Sequence, residues 1–302
     1  MIRNEDYWVI GFDMLWCFVK NVDSINQRWY MKNPDLEEKK RFHLEHHSRN
    51  LGLLTEAEQE KIDETTLLIA GCGVGSLIAI SAARLGFEKF VLVDGDRVEL
   101  SNINRQGYSS RDVGSYKVTA LAKKIRHINP HAEVKNHHVF VDIKNAKRLV
   151  HKADIIIDSI DPDSAQAVIA LHRAAQKEHK TIIQPTDVGW GAMVQIFTPD
   201  SISYEKMIGL NPETPLERVD QEEAFSKFVE FFVEIMPPYV QSVAVEVASG
   251  KRPHYPQPVS ASYTLSALAV IAAKRIALGL PVKVAPDYVL FDPDSELTPN
   301  EK

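Results

Sequence analysis

Residues 67–117 carry glycines, acids, amides and cations, among them Arg105 and Lys117, in an order that suits phosphate chemistry. Gly71, Gly73 and Gly75 follow the apolar run 67–70. A side chain at Gly71 or Gly73 would block a tight turn or hold a phosphate away from the backbone amides. The helix expected next aims its free N–H groups and partial positive charge at that phosphate. The third motif position is Ser76, so GCGVGS departs slightly from G-x-G-x-x-G. Asp94 ends a second apolar run about twenty residues on, where an acid accepts hydrogen bonds from ribose hydroxyls. Glycines alone fit NAD, FAD, ATP or a methyl donor, and they also fit a merely tight strand-to-helix turn. The residues that discriminate are Arg105 and Lys117. A hydride-transfer enzyme has no need of two cations just past its second strand, whereas an enzyme handling a triphosphate does.

These side chains need a scaffold, and the hydrophobic pattern supplies one. Leu77, Ile78, Ile80, Ala82 and Leu85 recur at helical spacing and stop at Gly86. Apolar runs at 67–70, 90–93, 134–141, 153–157 and 181–184 alternate with helical patterns at 114–128, 142–150 and 162–179. That alternation predicts an α/β fold with a doubly wound, mostly parallel, Rossmann-like sheet and an N-terminal extension. Ligands in such sheets sit beyond the C-terminal strand ends, where Gly71, Asp94 and Asp161 fall. Thr55 followed by Glu58 reads as a capping box for a helix over 55–61. Further on, a strand is expected at 193–197, helices at 222–235 and 260–279, and a final strand at 288–292. The expected division is an extension over 1–48 and a main domain over 49–302, with a substrate segment near 199–258.

Composition narrows the function classes. A formal charge of -6 over 302 residues and a pI near 6.0 argue against a general nucleic-acid binder. The only cysteines are Cys17 and Cys72, too few for a disulfide framework or a four-thiolate zinc site. No run of about 18 apolar residues predicts a membrane span. Glu5 and Asp6 stand ahead of the first apolar stretch, a poor secretory signal, so the protein is expected in the cytoplasm. Residues 7–30 hold seven aromatic rings and read as short strands or a strand and helix, packing on the chain's own domain or gripping a peptide by strand addition. His43, His46 and His47 lack acids or cysteines at ligand spacing and read as a solvated helix face.

The glycine loop, Asp94, Ser101-Asn102-Ile103-Asn104-Arg105-Gln106, Lys117 and Asp158-Ser159-Ile160-Asp161 together resemble the ThiF/MoeB/HesA family of ubiquitin-activating-enzyme-like adenylyltransferases. The resemblance runs over about 49–292. It implies ATP as nucleotide, formation of an acyl-adenylate with release of pyrophosphate, and a homodimer. It also implies that Asp161 holds Mg2+, with Asp158 and Asp163 near enough to share or take over the task, although Pro162 stands where the family has Asn. The structural alternative for Asp158 and Asp161 is helix capping. Family members use an arginine near position 46 to reach the partner subunit's nucleotide. Here His46 stands there, leaving Arg49 or Arg41 as substitutes. No cysteine follows residue 72, so the family's thioester step is expected to be absent.

Acyl adenylation brings two anions together, so it calls for fixed cations and a metal more than for a base. Arg105 can bind two phosphate oxygens with its planar fork. Lys117 supplies a compact charge near the α-phosphate. Asn102 and Gln106 are amide donors for phosphate or ribose, and Asp94, with Asp96 beside it, is expected on the ribose. The expected substrate is a carboxylate of a peptide or small protein. A catalytically silent interaction subunit, a transfer-RNA-modifying cyclase of the same family and a dinucleotide-dependent oxidoreductase are the other readings.

Overall fold

The apolar runs become strands, and most of the periodic runs between them become helices. The computed structural model describes residues 3–4, 7–8 and 38–297, which fall in two units, Met1–Arg49 and Asn50–Lys302. In the first, β1 (Arg3–Asn4) pairs antiparallel with β2 (Tyr7–Trp8), and a helix spans Glu38–His46. The other residues of the aromatic stretch lie outside the described residues.

In the second unit, β3 (Thr66–Ala70), β4 (Lys89–Val93), β5 (Glu133–His137), β6 (Ile155–Asp158), β7 (Thr181–Val188), β8 (Gly191–Phe197) and β9 (Tyr288–Phe291) form one sheet. Its order is β5-β4-β3-β6-β7-β8-β9. The first five strands are parallel, and β8 runs antiparallel to both neighbours. The chain leaves β3 for β4 on one side and returns to β6 on the other. The crevice between β3 and β6 is therefore the switch point at which such sheets bind ligands.

Burial on both faces explains the unbroken apolar runs of the central strands. Alternate residues feed two cores. Leu67, Ile69, Phe90, Leu92, Ile155 and Ile157 join one, beneath helices Gly75–Leu85, Lys117–Ile128 and Val259–Ala277. Leu68, Val91, Val93 and Ile156 join the other, beneath Ala165–Lys177 and Gln221–Ile235. Each fully buried Leu or Ile contributes about 1.5–3 kcal/mol, so both faces are held against solvent and the strand ends between them are fixed. The Thr55 capping box forms as expected, with Thr55 Oγ1 accepting from the Glu58 N–H and Glu58 Oε2 accepting from the Thr55 N–H at 2.8 Å.

Two departures from the sequence expectation shape the site. The strand predicted over 134–141 ends at His137, because the chain there leaves the ladder and Val139 and Phe140 turn out to wall a cavity. The helix predicted from 142 starts at Ala146. The Asp142 carboxylate accepts the N–H groups of Lys144 and Asn145, at 2.9 and 2.8 Å, and holds that entry as a turn.

Candidate functional site

The glycine turn is shaped by a close approach of two backbones. Gly71 has φ +84°, and a Cβ placed there would lie 2.3 Å from the Ser159 carbonyl oxygen. Ser159 N donates to Ala70 O at 2.8 Å, which fixes the end of β6 against the end of β3. At Gly73 a Cβ would meet Gln106 Nε2 at 3.3 Å. Helix Gly75–Leu85 then begins at Val74 with no side-chain cap, unlike the capped helix after Thr55. Its first N–H groups are thus left without a side-chain acceptor at the mouth of the crevice, the arrangement that suits an anion. Ser76, in the third motif position, accepts the Gly107 N–H at 2.8 Å and ties the arginine segment to the turn.

Above the turn opens a cavity of about 830 Å³. Gly71, Gly73, Asp94, Asp96, Arg105, Gln106, Lys117 and Asp161 all line it. One wall is apolar, formed by Val139, Phe140 and Ile143. Arg105 is held by Gln257, whose Oε1 accepts from Nε at 2.7 Å, and by the Ser101 carbonyl at 3.0 Å. The Gln106 side-chain oxygen is buried and has no hydrogen-bond partner among the described residues.

The charges are arranged to keep Lys117 ionised. Its ammonium lies 2.9 Å from Asp96 Oδ2. Burial opposes its charge, but Asp94, the bond to Asp96 and the charge of Asp161 outweigh that and hold its pKa above the usual lysine value. Asp161 is moved up from the ordinary aspartate value, first by burial and then by neighbouring Asp163, while Lys117 and Arg105 pull it back. A carboxyl in that position gains from a nearby cation.

Other expected residues are placed differently. Asp94 Oδ2 accepts the Cys72 N–H and Oδ1 the Asp96 N–H, both at 2.7 Å, so it also braces the glycine turn. Asn102 lies outside the cavity lining, and its Oδ1 accepts the Glu99 N–H. Gly75 sits inside the helix and packs on Ile69 and Ser159. Asp158 is buried, with one oxygen 3.0 Å from His172 Nε2 and the other accepting the Ile160 N–H. Its carboxylate is engaged in the fold, and it is absent from the lining of this cavity. Arg49 closes the first unit and is described with that unit alone. Among the described residues no cluster of three or more His, Cys, Asp or Glu forms a ready metal cage.

A second cavity of about 390 Å³ adjoins the first, sharing Arg105, Ser159, Asp161 and Gln257. Phe225, Phe228, Phe232 and Met236 give it apolar walls, and Gln184 and Asp187 lie at its polar end. Sequence inspection passed over Gln184, Asp187 and Gln257. The one available signal was an acid, Asp187, inside the strand Thr181–Val188. Burial pushes Asp187 up to about 7, against the smaller opposing effects of the Ser262 hydroxyl, 3.2 Å away, and of Arg105.

A native carboxyl raised above its unfolded value of 3.8 favours the fold while protonated and loses that contribution as pH rises through its native pKa. Asp187→Asn removes the titration. The variant should gain roughly 2 to 3 kcal/mol on the wild type between pH 5 and pH 8, read by urea unfolding at both values. A constant difference across that range would contradict this account of Asp187.

The ThiF family model matches residues 47–277. Ubiquitin-like modifier-activating enzyme 5 of Caenorhabditis briggsae is 29% identical over 143 residues, 44% of this chain and 32% of that protein. The aligned stretch thus spans about a third of that relative's length. In structure the chain resembles PaaA, at TM-score 0.60 and 19% identity, with 96% of this chain and 94% of that one covered. It also resembles E. coli MccB determined with ATP, at TM-score 0.59 and 17% identity, covering 78% and 63%. These two likenesses concern the fold. No helix among the described residues is long and apolar enough to cross a membrane. With the family model covering most of the sequence, glycine turn and switch-point crevice included, the chain belongs to the ThiF family.

Proposed function

We propose that this protein is an ATP-dependent adenylyltransferase that activates a carboxylate of a peptide or small protein, working as a homodimer and forming no thioester of its own. The observation that carries the reading is the company kept in one cavity: Arg105, Lys117 and Asp161 face it together, directly beyond the glycine turn. Two cations and an acid suit a triphosphate with its metal better than they suit a nicotinamide.

ATP fits this cavity on several grounds. Gly71 and Gly73 leave the backbone open to the phosphates, the uncapped helix start faces them, and Asp94 and Asp96 lie where ribose would sit. The apolar wall at Phe140 offers a face for the base. The Gln106 amide completes the polar side. Asp161 would hold Mg2+, an ion usually bound by one or two carboxylates together with substrate phosphates and retained waters. Bound there, the ion would neutralise charge on the phosphates. Arg105 and Lys117 orient the triphosphate and offset the repulsion between it and the incoming carboxylate. Arg105 lines both cavities, so a carboxylate at their junction meets its guanidinium next to the triphosphate. Carboxylate oxygen then attacks the α-phosphorus, and the bond to pyrophosphate breaks. No proton need be removed, since the carboxylate is ionised at neutral pH.

The test is ATP–pyrophosphate exchange over a panel of N-acetylated peptides that vary the C-terminal residue and include internal Asp and Glu. Exchange dependent on one peptide class is the expected result. NAD binding tighter than ATP binding by calorimetry, with no exchange for any peptide, would overturn the assignment.

A further inference from the structure

The second cavity holds buried acceptors with nothing to accept from. Asp187 and Gln184 line it and are 5% and 6% exposed. Asp187 Oδ1 and Gln184 Oε1 have no hydrogen-bond partner among the described residues. An unmade hydrogen bond at a buried oxygen is costly, so such atoms mark a place where a ligand donor completes the site. A third unpartnered atom on this lining, Ser159 Oγ at the junction with the first cavity, can accept as well as donate, so all three can take an N–H, and the walls beside Gln184 and Asp187 carry apolar rings. The complementary ligand bears N–H donors on an apolar stem. An anionic sulfur nucleophile or a second carboxylate would face the Asp187 charge with no N–H to offer.

Position says which reactant this is. The cavity meets the nucleotide cavity at Arg105, Ser159, Asp161 and Gln257. A carboxylate held by Arg105 at that junction has the phosphates on one side and Asp187 on the other. On the reading given under Proposed function, we infer that the second cavity receives the group that accepts the activated acyl unit, that this group is a primary amine, and that Asp187 is its anchor and base.

The step balances. The amine is held as an ammonium against ionised Asp187 and passes one proton to it. The nitrogen lone pair attacks the acyl carbon, forming the C–N bond. The bond from that carbon to the phosphate oxygen breaks, and its electron pair leaves with AMP. The second proton lost by nitrogen goes to the departing phosphate. The products are an amide, singly protonated AMP and neutral Asp187. Charged and titratable neighbours of this centre are Arg105, Asp161 and Asp163 at the junction, His254 and Tyr255 on the segment leading to helix Val259–Ala277, and Asp158 at the end of β6. No cysteine is required, and none follows residue 72.

Benzylamine is a suitable probe, with an ammonium on a short aromatic stem, and phenylacetate is its anionic counterpart. Calorimetry at pH 8 on the full chain should show benzylamine binding more tightly than phenylacetate. Asp187→Asn, nearly isosteric, should weaken benzylamine roughly tenfold to a hundredfold, the worth of a charge-assisted hydrogen bond. Val229→Trp, filling the cavity from its wall, should abolish binding by a route independent of charge. Equal benzylamine affinity in the wild type and both variants, or tighter binding of phenylacetate, overturns the inference. An ATP titration on the same wild-type sample separates the two claims. Failure of ATP to bind defeats the adenylation reading, whereas ATP binding without benzylamine binding defeats the amine pocket alone.

Discussion

Arg105→Ala should lower ATP–pyrophosphate exchange by about 10²- to 10³-fold, the usual cost of removing one preorganised group that stabilises transition-state charge. The reason is positional. Gln257 and the Ser101 carbonyl hold the guanidinium in place before any ligand arrives, so little reorganisation is needed when charge develops. Arg105→Lys should recover only part of the loss, because an ammonium cannot bind two oxygens in one plane. Asp161→Ala should lower exchange to a similar degree, and added magnesium should not restore it. Undiminished exchange in both Ala variants would remove the charge argument on which the assignment stands.

Gly71→Ala should have the largest structural effect. An L-residue at φ +84° costs about 1–2 kcal/mol. The added carbon would also lie 2.3 Å from the Ser159 carbonyl oxygen and 2.6 Å from its carbon. Both are backbone atoms at the end of a central strand, so relief requires parting β3 from β6. Together these terms give about 3 kcal/mol or more, a drop in Tm on the order of 10 °C for a domain of this size. Gly114→Ala is the matched control. Its φ is +85°, but nothing lies within 4 Å of the added carbon. It should cost only the backbone strain. Equal Tm losses in the two variants would show that the close approach at Ser159 does not matter.

What could be read in the sequence was what lies close along the chain or obeys a period. The run before Gly71, the helical spacing from Leu77 to Leu85 and the acid at Asp94 are each local, and each predicted its element. Lys117 was legible through its distance from Arg105, and the structure places it at the first turn of a helix with its ammonium in the cavity. Gln184, Asp187 and Gln257 were not legible. Each lies far along the chain from the glycine turn, and only sheet order and the packing of Val259–Ala277 bring them near Arg105. Helix Pro238–Ala248 is not among the elements expected from the sequence; Pro238 sits in its first turn, where the missing N–H does no harm. At Asn102 and Asp158 the type and spacing suit a ligand, while the fold also uses them: the Glu99 N–H donates to the Asn102 oxygen, and His172 and the Ile160 N–H meet the Asp158 carboxylate. A motif gives the residue, while the packing around it decides whether its polar atoms are free.

The central claim, that Arg105 reads the outer phosphates of a nucleotide beyond the glycine turn, is tested most directly by comparing ATP with AMP. Calorimetry with magnesium present should show ATP bound at least about tenfold more tightly than AMP, since each charge-assisted phosphate contact is worth more than about 1.4 kcal/mol. In Arg105→Ala that gap should shrink while AMP affinity stays nearly constant. A wild type that binds the two nucleotides equally, or a variant that keeps the full gap, would contradict the account.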